Sequence, residues 1–119
     1  MASEHTRMDG EISYFEVGSG DAAVTARFLT DLFGWSFTTM GDTGDGWFQT
    51  PRIRAGLHGN DPAHGIVLYF SVTDIEAAAA RVRALGGDVE GPSEAEAGFG
   101  RFCNCRDSQG LRFGLHQPG

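Results

Sequence analysis

Two five-residue segments carry the same chemistry 58 positions apart. Arg54-Ala55-Gly56-Leu57-His58 recurs as Arg112-Phe113-Gly114-Leu115-His116, matching at four of five positions. In an extended chain, alternate residues share a face, so each segment lines up a guanidinium, a glycine and an imidazole. A guanidinium takes carbonyls and phenolates through paired N–H donors. An imidazole is an acid–base group and a common metal ligand. Tyr14 and Glu16 stand two apart in the run Ile12–Val17 and add a phenol and a carboxylate, the latter a candidate general base. Trp47, Tyr69, Phe99 and Phe102 offer flat faces on which an aromatic molecule could stack. Cys103 and Cys105 alternate onto one face of a strand, but without two further ligands nearby they read as small buried apolar groups. The chain has no G-x-S-x-G, Walker loop or dinucleotide fingerprint.

The elements that must position these groups are themselves repeated, each half reading β-α-β-β-β. The first runs from about residue 10 to 59. Ile12–Val17 is β-branched and aromatic and stops at Gly18-Ser19-Gly20, so it reads as a strand. Val24, Phe28, Leu29, Leu32 and Phe33 then mark one helical face, with Ser19 or Asp21 as the N-cap and Gly34 as the stop. Short strands follow near 35–39, 47–50 and 53–58. The second half runs from about residue 65 to 117. Its strand is 66–72, and Thr73-Asp74-Ile75-Glu76 has the form of a capping box. Ile75, Ala79, Val82 and Leu85 (with Ala78) give the apolar stripe, and Gly86-Gly87 ends the helix. Strands near 88–90, 100–106 and 111–116 complete it, with Asp107–Gly110 as a hairpin turn. Residues 1–9 read as a loose tail, Asn60–Ala63 as the link between modules, and residues 10–119 as a single domain. One such module covers one face of its sheet with its helix and leaves the other to a second copy. The expectation is an α+β fold in which two tandem βαβββ modules form a curved mixed sheet enclosing a cup.

Composition bounds the partners. The chain has 119 residues, 9 basic and 16 acidic, and a net charge of −7. An acidic surface repels phosphate backbones, which argues against nucleic acid. No run approaches the roughly 18 apolar residues of a membrane span, and the opening MASEHTRMDG lacks an apolar signal core. Two cysteines are too few for a disulfide scaffold. A cytoplasmic protein without membrane partners is expected.

Four stretches resemble the vicinal oxygen chelate superfamily of glyoxalases, bleomycin-resistance proteins and extradiol dioxygenases. They are 28–35 (FLTDLFGW), 70–77 (FSVTDIEA), 83–87 (RALGG) and 106–114 (RDSQGLRFG). The resemblance covers about residues 10 to 117. It implies a divalent metal held by one side chain from the first strand and one, usually Glu, from the last strand of each module. Carried onto this chain, those positions are Ile12, Gly56, Val67 and Gly114, none with a lone pair on its side chain. A divalent ion needs oxygen or imidazole donors. The expectation is therefore a branch with no metal and no cofactor. A slip of one residue would rescue one ligand, Glu11 or Ser13, but not four.

If Ile12 points into the cup, alternation sends Tyr14 and Glu16 the same way and turns Ser13, Phe15 and Val17 to the helix. Tyr69, Arg54, His58, Arg112 and His116 join the inward set, with Gly56 and Gly114 leaving floor space. Trp47, Phe99 and Phe102 could form walls, and Trp35 either a wall or core. The ten residues Tyr14, Glu16, Trp47, Arg54, His58, Tyr69, Phe99, Phe102, Arg112 and His116 are the candidate ligand-binding set. They suit a flat, partly polar organic molecule, although the aromatics could instead fill the cup or pack a dimer. The expected function is metal-independent binding of a planar aromatic antibiotic or natural product, as in bleomycin-resistance proteins, rather than catalysis. The alternatives are a glyoxalase-like lyase or isomerase, with Glu16 as base or a rearranged metal, and an interaction module without a ligand. The resemblance also implies a homodimer.

Overall fold

The computed structural model describes residues 8–119, which form eight strands and two helices. The order is β1 (Ile12–Gly18), α1 (Ala22–Phe33), β2 (Ser36–Thr39), β3 (Gly46–Gln49), β4 (Arg54–His58), β5 (Gly65–Ser71), α2 (Ile75–Ala84), β6 (Asp88–Glu90), β7 (Gly100–Arg106) and β8 (Arg112–Pro118). This is the expected α+β class with its βαβββ order written twice. No helix is long and apolar enough to cross a membrane among the described residues.

The chain divides into two compact units, and the division falls inside β1 and β5. Residues 14–68 make the first. In it β4 lies between β1 and β3, parallel to β1 and antiparallel to β3, and β2 pairs with β3. The register sets Tyr14 beside Arg54, Glu16 beside Gly56, and Trp47 beside Gly56. Val17, Phe48, Ala55 and Leu57 pack with Ala22 and Ala26 of α1, joined at the margin by Phe15, Leu29, Trp35 and Phe37.

Asp21 caps α1 by accepting from the Val24 amide at 3.3 Å, and Gly34, left-handed at φ 74°, ends it. The core face of this helix differs from the expected one. Val24 and Phe28 are each 65% exposed and Leu32 60%, whereas Ala22 and Ala26 are buried. Small residues let the helix lie close on the sheet, so the alanine row wins the inner face and the larger row is turned out.

The second unit joins residues 8–13 to Tyr69–Gly119. Here β8 is parallel to β5 and antiparallel to β7, with β6 on β7. Ile75 and Ala79 of α2 pack on Cys103, Cys105 and Leu115. The cysteines are unpaired and buried, as their alternation implied. The N-cap of α2 is Asp74, which accepts from Ala77 N at 3.1 Å. The expected Thr73–Glu76 box does not form. Thr73 instead donates through its amide and hydroxyl to Asp9 Oδ1, each at 2.8 Å, and Glu76 takes Arg101 Nη2 at 2.8 Å. The tail expected over residues 1–9 lies outside the described residues except for Met8 and Asp9. Those two are bonded in place, Met8 through its carbonyl to the Ser71 hydroxyl at 2.7 Å.

Candidate functional site

In the first unit the parallel pairing of β1 and β4 brings three of the expected residues into one chain of hydrogen bonds. The Tyr14 hydroxyl donates to Glu16 Oε1 at 2.7 Å, and His58 Nδ1 lies 2.7 Å from Glu16 Oε2. His58 Nε2 lies 2.9 Å from Asp61 Oδ2. Ionised carboxylates only accept, so a histidine between two of them donates from both nitrogens and is an imidazolium. The hydrogen bond from Glu16 raises the His58 pKa above its ordinary 6.5, that from Asp61 adds to it, and partial burial opposes both. The glycine spacing matters at Gly56. A Cβ there would stand 2.9 Å from Glu16 Cδ and nearer still to the Tyr14 hydroxyl and Glu16 Oε1. The floor space that the missing side chain leaves is therefore filled by the Tyr14–Glu16 pair. Beside it, the Arg54 guanidinium lies over the Trp47 ring, 4.2 Å from its centroid.

In the second unit, Tyr69, Phe99, Phe102 and His116 come together. Phe99 stacks on His116 at 4.3 Å and 20°, and Phe102 meets Phe99 and Tyr69 edge-on. His116 Nε2 donates to the Phe99 carbonyl at 2.7 Å. In the neutral ring Nδ1 is then the acceptor for the Ser13 hydroxyl, 2.7 Å away. Alternation had put Ser13 on the helix side and His116 on the opposite one. They meet because residues 8–13 are tied along Ser71, which sits in register with His116. The Tyr69 ring fills the place of the absent Gly114 side chain, and its hydroxyl donates to Asn104 Oδ1 in a short hydrogen bond. Arg112 stands apart from this cluster. It borders an open cavity of about 350 Å³ with Asp88, Glu90, Asn104 and Arg106.

Sequence reading missed Asp61, Asn104 and Ser13. Asp61 had a signal, since it lies three residues after His58 in a turn and also accepts from Ala63 N at 2.8 Å. Asn104 and Ser13 had none, because their partners lie 35 and 103 positions away.

Residues 11–115 match the Glyoxalase/Bleomycin resistance protein/Dioxygenase superfamily. The chain belongs to this superfamily. It is 32% identical over 132 residues to the anthracycline biosynthesis protein DauV of Streptomyces sp. (strain C5), and 31% to DnrV of Streptomyces peucetius. Each alignment covers 92% of this chain and 48% of the relative, so the chain spans about half the length of these relatives. Among solved structures it is similar to methylmalonyl-CoA epimerase from Mycobacterium tuberculosis (TM-score 0.70, 16% identity, 98% of this chain and 93% of that one). It is also similar to a mutant of homoprotocatechuate 2,3-dioxygenase from Brevibacterium fuscum (TM-score 0.73, 18% identity, 92% and 33%). Those structural likenesses carry the fold.

The residues present do not fit the metal that the superfamily's enzymes carry. Ile12 and Val67 offer hydrocarbon, and the spaces over Gly56 and Gly114 are taken by Tyr14, Glu16 and Tyr69. Among the described residues no three His, Cys, Asp or Glu side chains are placed to hold an ion. His58 has both nitrogens committed to carboxylates, so it has no lone pair to give.

Proposed function

We propose that this member of the superfamily binds a planar aromatic antibiotic or natural product without a metal, and sequesters it rather than transforming it. The observation that carries the reading is the Arg54–Trp47 stack, bordered by Tyr14 and Glu16. It offers a flat guanidinium plane layered on an indole ring, with a hydrogen-bonded carboxylate beside it. A fused-ring quinone or phenol would stack on the Arg54–Trp47 layer or take its oxygens to the N–H edge of the guanidinium. The likeness to two anthracycline biosynthesis proteins supports a ligand of that shape. Tyr69, Phe99, Phe102, His116 and Arg112 are proposed to contact the same class of ligand, and the protein to act as a homodimer in the cytoplasm.

A second reading is a lyase or isomerase with Glu16 as base, and the Tyr14–Glu16–His58–Asp61 chain favours it because it could carry a proton away. Against it, both Glu16 oxygens already accept hydrogen bonds. One titration separates the two. Tryptophan fluorescence is followed while a soluble anthraquinone or an anthracycline is added, and the ligand is then recovered and weighed by mass spectrometry. Saturable quenching at micromolar concentrations, weakened by Trp47→Leu and Arg54→Ala, with the ligand recovered unchanged, supports binding. A changed ligand mass or stereochemistry supports the enzyme. Quenching absent across a panel of planar ligands overturns both.

A further inference from the structure

We propose that the outer face of α1 is where a second copy of this chain docks, the two α1 helices packing antiparallel about a two-fold axis. The proposal rests on the homodimer reading above and gives it a place. Val24, Phe28 and Leu32 recur every four residues opposite the buried Ala22 and Ala26, and are 60–65% exposed.

The internal repeat supplies a control. Aligning the N-caps Asp21 and Asp74 places Val24 with Ala77, Phe28 with Arg81 and Leu32 with Leu85, which is itself 65% exposed. The same helix of the same module is thus built in the second half with alanine and arginine where the first half has valine and phenylalanine. Holding a helix on its sheet does not require valine and phenylalanine at those two outward positions, and their clustering with Leu32 is what sets α1 apart as a surface a second copy would cover.

Charge points to the chain itself as that surface. Arg27 and Asp31 form the row next to the stripe, 4.0 Å apart and 85% and 76% exposed. A two-fold axis perpendicular to both helices keeps this row on the same side in each copy while reversing its direction. Arg27 of one copy then meets Asp31 of the other, twice over, as an isologous contact requires. The three apolar side chains expose on the order of 350 Å² per copy, within the range of the largest patch on a monomer. Doubled and rimmed by the charged row, the contact reaches the roughly 1,000 Å² that a specific interface needs.

The test is sedimentation velocity of the full chain over a range of micromolar concentrations, with three exposed-site variants. Expected is a species of twice the 12.7 kDa chain mass. Phe28→Arg should weaken it by about 30-fold or more, as loss of a central anchor does. Asp31→Arg alone should weaken it, as should Arg27→Asp alone, and mixing these two variants should restore a heterodimer, which the intrahelical pair, broken in both, could not produce. A monomer at all concentrations overturns both the interface and the homodimer. A dimer indifferent to all three variants overturns the interface alone. Fluorescence titration of the same samples reports ligand binding separately, so that reading stands or falls by itself.

Discussion

Replacing Gly114 by alanine tests whether the space above it is filled as the structure shows. A Cβ at that position would lie 2.5 Å from Tyr69 Cγ and closer still to Cδ2 and Cε2. The ring has little room to withdraw. Tyr69 is 7% exposed, its hydroxyl is held by Asn104, and its edge meets Phe102. Overpacking of this kind costs about 1–3 kcal/mol, and loss of the hydroxyl's hydrogen bond adds about 1 kcal/mol. Gly114→Ala should therefore destabilise by about 3 kcal/mol, a large share of a typical domain's stability, and lower Tm by roughly 10 °C. Urea unfolding followed by circular dichroism measures it as a fall in the midpoint at unchanged slope. The double variant with Tyr69→Ala assigns the cause. With the ring gone the new methyl has space, and the coupling between the two changes should be on the order of 2 kcal/mol. A cost below about 0.5 kcal/mol for Gly114→Ala, or the same cost with Tyr69 truncated, would refute the packing described.

Gly56→Ala should cost less, about 1 kcal/mol, because its neighbours are the mobile ends of Tyr14 and Glu16. The same change should pull Glu16 from His58 and return the histidine toward 6.5 in an NMR titration; an unmoved titration would show that Glu16 does not depend on that space. The raised His58 pKa has a definite sign: the folded state holds the proton more tightly, so its stabilisation is complete below pH 6.5 and is lost as pH rises through the raised value. His58→Gln should flatten that part of the Tm–pH curve, and a variant with the wild-type slope would count against the two-carboxylate clamp. Burial pushes both thiols up, Cys105 to about 11, so iodoacetamide at pH 8 should label the folded protein no faster than it unfolds. Asp74→Ala should remove about 1 kcal/mol, whereas Thr73→Ala should not disturb the start of α2, and helix content by circular dichroism distinguishes them.

The fold was legible because glycine, proline and capping residues punctuate the chain at each boundary. Strand and helix limits shift by a residue or two at most positions, from Trp35 to Ser36 at β2 and from Leu111 to Arg112 at β8. Tyr14, Glu16 and His58 were legible as members of one strand face because alternation and the repeat place them there, but the hydrogen bonds that join them were not. The helical face of α1 was misread because hydrophobicity alone favours Phe28 over Ala26, whereas close packing on a sheet favours the smaller residue. The capping box failed for a related reason. Asp74 reaches the amide three residues on just as well, and Asp9, 64 positions from Thr73, cannot be seen from the local pattern. Long-range side-chain partners such as Ser13 and His116 depend on where separated segments meet, and no periodicity encodes that.

The second unit takes its material from both extremities of the chain, while residues 14–68 are contiguous. On the ribosome the contiguous stretch can make its internal contacts as soon as it has emerged. Residues 8–13 leave the tunnel early and must wait for Ser71, Thr73 and finally His116, 103 positions behind Ser13. A stop codon placed just before β8 would thus strip the opening segment of its latest partner as well as deleting a strand, and damage at one terminus would be felt at the other.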